Sequence, residues 1–341
     1  SISCALYLHG ADPIFINAST AGSATITNTG FLGFNNASSA GSATITSTNF
    51  LNFRNTSTAG SASLTNNGIL NFNDSSSAGS AAITNNNLLN FNNASTGGNA
   101  TLTNNFFLNF FNTSTAGSAT ITNNSLLNFN NASTAGSATI TNPGTLQFLD
   151  TSTAGSATIP TTPNLIFTNT STAGSALITN NDSLVFGQTS TAGNATITTN
   201  NVSITALGDN STGGNAQFIT NAGGVTNFSP STGPLGDNRL SAGSIAGAGA
   251  YLLGVNELTV GGNNLSTNVS GVISGVNGSL VKTGSGTLTL SGVNTYTGNT
   301  TVNAGTLSVN GSTATSLLTT VNAGGTLAGS GSLTALAPPV T

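Results

Sequence analysis

Residues able to do acid–base or nucleophilic chemistry are scarce in this chain. His9 is its single histidine and Cys4 its single cysteine among 341 residues. Near each other at the N-terminal edge, they are the one available nucleophile–base pair. A terminal or capping coil accounts for both without catalysis. Asp74 and Asp150 occupy one column of a repeat, but four copies apart, about 19 Å at strand spacing. Each replaces Asn in a ladder, so they are not read as the flanking carboxylates of glycoside hydrolysis. Asp209, Asp237 and Glu257 flank an irregular segment and would need to converge with Arg239 to form a cleft. Calcium-binding nonapeptides are absent, and the acids are too few for an oxygen cage. The glycine-rich SAGSIAGAGA at 241–250 has no Lys and no helix after it, so it is no phosphate cradle. The expectation is a protein that is not an enzyme and has no catalytic residues, cofactor or metal.

Charge points the same way. Three basic residues stand against seven acidic ones. The cations Arg54, Arg239 and Lys282 are scattered, so phosphate neutralisation and nucleic-acid binding are excluded. An anionic membrane surface is excluded for the same reason. No apolar run approaches 18 residues, so no direct membrane insertion by this segment is expected. The opening SISCALYLHG lacks the features of a signal peptide and reads as a mature chain or a fragment. Cys4 has no partner for an internal disulfide.

Two other residue patterns could act at a surface. A double file of threonines flanks a repeated Ile: Thr25 and Thr27, Thr44 and Thr46, Thr101 and Thr103, Thr120 and Thr122, Thr139 and Thr141, Thr196 and Thr198. Ser63 and Thr65 continue it, while Ala82, Pro160 and Leu177 interrupt it. Regular methyl and hydroxyl spacing on such a file could contact ice or a polysaccharide, although Thr also suits any solvated strand. The second pattern is Asn-x-Ser/Thr at Asn17, Asn36, Asn55, Asn93, Asn112, Asn131 and Asn169, an acceptor sequence for glycans. Turn composition also explains it.

These residues must be positioned by a repeat. Gly22 is followed by Gly41, Gly60, Gly79, Gly98, Gly117, Gly136, Gly155, Gly174 and Gly193, each step being 19 residues. The next equivalent, Gly214, breaks the period. Columns of Ile or Leu (Ile26 to Ile197), Leu (Leu32 to Leu184), Phe (Phe15 to Phe186) and Ser (Ser19 to Ser190) recur. A column of Asn and its relatives runs from Asn36 to Gln188, with Asp74 and Asp150 in it. Apolar spacing of two, as in Ala24 and Ile26 or Leu32 and Phe34, is strand alternation. It predicts short strands near 23–27 and 31–35 in the first copy, separated by turn residues. One copy cannot bury its own Ile, Leu and Phe, so copies must stack at about 4.8 Å per coil. Alternation places the Asn column inside as a hydrogen-bonded ladder. An inward column would bar glycans from the folded chain.

The expected fold is all-β: a right-handed single-stranded parallel β-helix, or β-solenoid. Its 19-residue coils are followed by a less regular C-terminal solenoid section. The expected divisions are a cap at 1–14, the regular repeat at 15–205, irregular coils or a loop at 206–250, a second coil type at 251–335, and a linker or truncation point at 336–341.

Residues 280–311, LVKTGSGTLTLSGVNTYTGNTTVNAGTLSVNG, resemble the autotransporter-associated β-strand repeat. VNAGGTLAGSGSL at 321–333 resembles a further coil of such a region. The resemblance covers roughly 250–333, and the 19-residue copies resemble repeats upstream in similar passengers. It implies a β-helical passenger exported to the cell surface or medium of a Gram-negative bacterium. Adhesion, aggregation, biofilm formation or fibre building is the work it implies. The translocating β-barrel of that family is not in these residues, so a fragment or released passenger is expected. The implied partners are other copies of the chain, laterally or end to end, and a host or bacterial surface glycan. The alternative is a ligand-binding array for ice or polysaccharide on the Thr-x-Thr face.

Overall fold

A computed structural model describes residues 5–8, 13–161 and 163–334. Cys4, His9 and the terminal APPVT lie outside the described residues. Within them every regular element is a strand and every paired strand is parallel. The fold is the all-β parallel solenoid expected from the period. Two compact units divide it, Ser1–Ile159 and Pro160–Thr341.

In the first unit each coil gives one strand to each of two sheets. The coil of Gly98 supplies Thr101–Asn104 and Phe107–Phe110, and the next supplies Thr120–Asn123 and Leu126–Phe129. Like pairs with like: Leu102 faces Ile121, Leu108 faces Leu127, and Phe110 faces Phe129. The first copy has its strands at Thr25–Asn28 and Phe31–Phe34, where alternation placed them. A third line of contact is a single parallel bridge per coil, such as Thr96 to Thr115 and Thr115 to Thr134. Its Thr ends a tight turn: the Gly117 amide donates to Thr115 Oγ1 at 2.9 Å. Gly117 sits at φ 65, and a Cβ there would lie 2.7 Å from the Gly98 carbonyl oxygen. Only glycine meets both conditions.

The columns become internal ladders. Ile121, Leu127 and Phe129 are fully buried. Phe91 and Phe110 stack with centroids 4.6 Å apart and rings 4° from parallel. Phe110 and Phe129 repeat this at 4.7 Å and 8°. Each buried Phe contributes about 1.5–3 kcal/mol. The serine column is buried too, and the hydroxyls of Ser95, Ser114 and Ser133 find no hydrogen-bond partner. Ser76, in the same column, donates to the Phe53 carbonyl of the coil before at 3.3 Å.

The asparagines require a correction. The column from Asn36 to Gln188 does not face inward. Asn36, Asn55, Asn93, Asn112 and Asn131 are exposed, each at φ between 55 and 60. The chain leaves the strand after Phe34 and turns left-handed, so alternation cannot be carried across that point. Asn and Asp tolerate this conformation better than other L residues. Their side chains cap the coil before: the amide of Asn112 donates to Asn131 Oδ1 at 3.1 Å, and that of Asn131 to Asp150 Oδ2 at 2.8 Å.

The buried ladder is a different one, two residues after the Ile column. Asn66, Asn85, Asn104, Asn123 and Asn142 are each no more than 1% exposed. Asn85 Nδ2 donates to Asn104 Oδ1 at 2.8 Å, and Asn104 Nδ2 to Asn123 Oδ1 at 2.7 Å. The same Asn104 Nδ2 reaches the carbonyls of Phe106, at 3.1 Å, and Leu126, at 2.9 Å. Each amide thus ties the corner between the two strands of a coil to the coil above.

In the second unit the same two strand types recur, as Leu177–Asn180 with Thr196–Thr199 and Asn164–Phe167 with Ser183–Phe186. Parallel pairing persists through 206–250: Gln217 faces Ser244, and Val225 faces Ala250. The Phe stack gives way to an edge-on pair, Phe218 and Phe228, at 5.6 Å. Below them Tyr251 is buried, and its hydroxyl donates to the Phe218 carbonyl at 2.9 Å. Burial pushes its pKa up to about 12. Beyond, a five-stranded sheet starts at Arg239–Ala242 and a four-stranded one at Thr267–Val269.

Candidate contact surface

Alternation that sends Ile and Asn inward sends the flanking threonines outward. In the first unit Thr25, Thr44, Thr101, Thr120 and Thr139 are exposed. Thr27, Thr46, Thr103 and Thr122 are half-buried, and Thr141 is exposed. They lie in register: Thr25 faces Thr44, Thr27 faces Thr46, Thr101 faces Thr120 and Thr103 faces Thr122. Thr120 and Thr122 then face Thr139 and Thr141. In the second unit Thr196 and Thr198 are half-buried on their strand, with Leu177 and Thr179 opposite. The structure thus brings the threonines of the first unit together as two parallel files.

The Phe-bearing sheet carries a second outward surface that the sequence reading missed. Phe31, Phe50, Ile69, Leu88, Phe107 and Leu126 form one file, paired strand to strand. Phe50 and Phe107 are 44% and 37% exposed, high for aromatic rings. Beside them Asn52, Asn71, Asn90, Asn109 and Asn128 form an amide ladder. Asn71 Nδ2 donates to Asn52 Oδ1 at 2.8 Å, and Asn90 Nδ2 to Asn71 Oδ1 at 3.0 Å. The signal was present in repeats such as FLNF at 107–110. Its first and last residues are an odd number apart, so one Phe faces out when the other faces in.

The glycan-acceptor asparagines are exposed, so the expectation that folding would bar glycans from them falls with the inward placement. The side-chain oxygens of Asn55, Asn112 and Asn131 hold the amide of the coil before.

The candidate acidic cluster is used for turns and one surface pair. Arg239 and Glu257 face each other on adjacent strands, 3.4 Å apart, with Arg239 exposed and Glu257 half-buried. Such a pair is worth little. Asp209 Oδ2 accepts the Gln188 amide at 2.8 Å, and Asp237 Oδ1 accepts that of Arg239 at 3.2 Å. Among the described residues no group of three His, Cys, Asp or Glu could hold a metal. No helix there is long and apolar enough to cross a membrane.

Lys282 behaves unlike a surface cation. It is 1% exposed, and its ammonium donates to the carbonyls of Thr283, Gly284 and Ala304 at 2.6, 3.0 and 3.1 Å. Burial lowers its pKa below the ordinary lysine value. Ala304 belongs to the following coil, so Lys282 clips two coils together within LVKTGSGTLTL.

That stretch is where a known family meets the chain. Stacked parallel coils of this kind define a β-solenoid repeat protein. Residues 280–309 match the passenger-associated-transport-repeat. The repeat and the β-solenoid together fit an autotransporter passenger domain with repeats. The match implies a secreted or surface-displayed protein of a Gram-negative bacterium. No curated protein and no solved structure matches the chain.

Proposed function

We propose that the chain is a non-enzymatic extracellular passenger that works by adhesion and self-association on the bacterial surface. One observation carries this reading. From Thr25 to Phe129 the outward strand positions of both sheets hold no charged side chain. They repeat in register instead, as threonine, apolar and amide files. Charge normally keeps soluble domains apart, and here that repulsion is nearly missing. A second copy presents the same spacing, so lateral contact can be made coil by coil. The passenger repeat supports export to the surface where such contact would join cells.

Bacteria displaying the chain are expected to settle from still culture faster than cells without it. Changing Thr120 and Thr122 to Lys places like charges on one file and should slow settling. Equal settling of displaying and bare cells would sink the proposal.

The register of the threonines favours a second reading, a ligand-binding array for ice or polysaccharide. In its ice form the purified chain shows thermal hysteresis that Thr120→Tyr with Thr122→Tyr abolishes. Hysteresis that is absent, or indifferent to the change, rejects that form.

A further inference from the structure

We propose that a groove on the Phe-bearing sheet of the first unit binds an acidic polysaccharide, a chain of uronic-acid sugars. The proposal deepens the adhesive reading and rests on it. The groove is shallow and open to solvent, and it is lined by Phe31, Phe50, Asn52, Arg54 and Asn71.

Each lining residue fits one part of a uronic-acid sugar. Phe31 and Phe50 are paired neighbours on adjacent strands, and Phe50 is 44% exposed. Exposed rings of this kind accept the C–H face of a pyranose by apolar contact. Gly33 makes room for the arrangement: a Cβ there would lie 2.9 Å from Phe31 Cε1. The Phe31 ring therefore lies across a position that holds Asn in the next coils.

The amide ladder ends at the same place. Asn71 Nδ2 donates to Asn52 Oδ1 at 2.8 Å, and the next position in line with Asn52 is Gly33. Glycine offers no side-chain acceptor, so the ladder's last donor, Asn52 Nδ2, stays available for a sugar hydroxyl. Asn52 is 4% exposed, so it is held in place by its surroundings. Its Nδ2 keeps contact with solvent, where a sugar hydroxyl can reach it.

Arg54 supplies the charge. It is exposed and in no ion pair among the described residues. A guanidinium is suited to hold a carboxylate by two parallel hydrogen bonds. In a chain with three cations, one of them fully buried as Lys282, a free Arg at the lip of an aromatic and amide groove selects an anionic sugar over a neutral one. The outward strand files of a second copy carry no charge from Thr25 to Phe129, so contact along them would leave that Arg unpaired.

Calorimetric titration of the whole chain tests the proposal, with alginate oligosaccharides as the acidic probe and dextran oligosaccharides as the neutral one. Saturable binding of alginate and none of dextran is expected. Arg54→Gln and Phe50→Ser should each weaken it about tenfold or more. Both sites are exposed, and an unchanged melting curve shows that the variants fold. Asn105→Ala, at an exposed turn outside the groove, should leave binding intact. No binding of alginate, binding that survives both groove variants, or equal binding of dextran overturns the proposal. Settling of displaying cells is scored separately: settling without alginate binding removes this inference and leaves the adhesive reading standing.

Discussion

Replacing Asn104 with Ala is expected to lower the unfolding free energy by about 4 kcal/mol, a large effect for one polar side chain. The loss follows from a count of bonds. Asn104 Nδ2 serves Asn123 Oδ1 and the Leu126 and Phe106 carbonyls, and Asn104 Oδ1 accepts from Asn85. Water cannot replace these partners at a site with 0% exposure. Leaving a buried acceptor unmade costs roughly 1–3 kcal/mol, and several are left at once. The adjacent Asn105 is the control. It makes the same kind of inter-coil bond, from its Nδ2 to Asn86 Oδ1 at 2.8 Å, but in solvent. Asn105→Ala should change stability by about 0.5 kcal/mol or less. Urea unfolding followed by circular dichroism compares the two. Similar midpoints for both variants would show that the interior ladder does not hold the coils.

Phe110→Ala should cost about 3–5 kcal/mol. Phe110 has neighbours stacked on both faces, at 4.6 and 4.7 Å, and coils above and below limit how far the gap can close. Phe107, in the same strand but 37% exposed, should lose far less on the same change. Stability in a stacked repeat is close to a sum of units and neighbour interfaces, so a weakened interface also divides the stack. Thermal unfolding of Phe110→Ala is therefore expected to start earlier and broaden. A sharp transition near that of the unchanged chain would contradict the stacking account.

Much of the architecture was legible in the sequence because strand alternation is a local signal. Ile121, Leu127 and Phe129 recur at one period and lie two residues from their partners, so the paired strands could be placed. Alternation failed where the backbone left the strand. It carried Asn131 inward, whereas Asn131 itself sits at φ 55 in the turn and its side chain points out. The buried ladder of Asn104 and Asn123 went unread because Asn beside Asn looks like turn chemistry. Only the pairing shows that the first Asn ends the strand inside and the second begins the turn outside. Of the surfaces, the Thr files were legible. The Phe31 to Leu126 file was not, since an aromatic column had already been assigned to the core. The groove at Arg54 depends on Gly33 standing where other coils hold Asn, a difference that acquires meaning only once neighbouring coils are aligned in space.

The Asn and Phe changes test how the coils are held, while the function proposed rests on what they present. Sedimentation velocity of the purified chain over a wide concentration range examines that most directly. The account predicts species larger than one chain that grow with concentration, and their loss when Thr120 and Thr122 become Lys with the melting temperature unchanged. A single monomeric boundary at every concentration would contradict it.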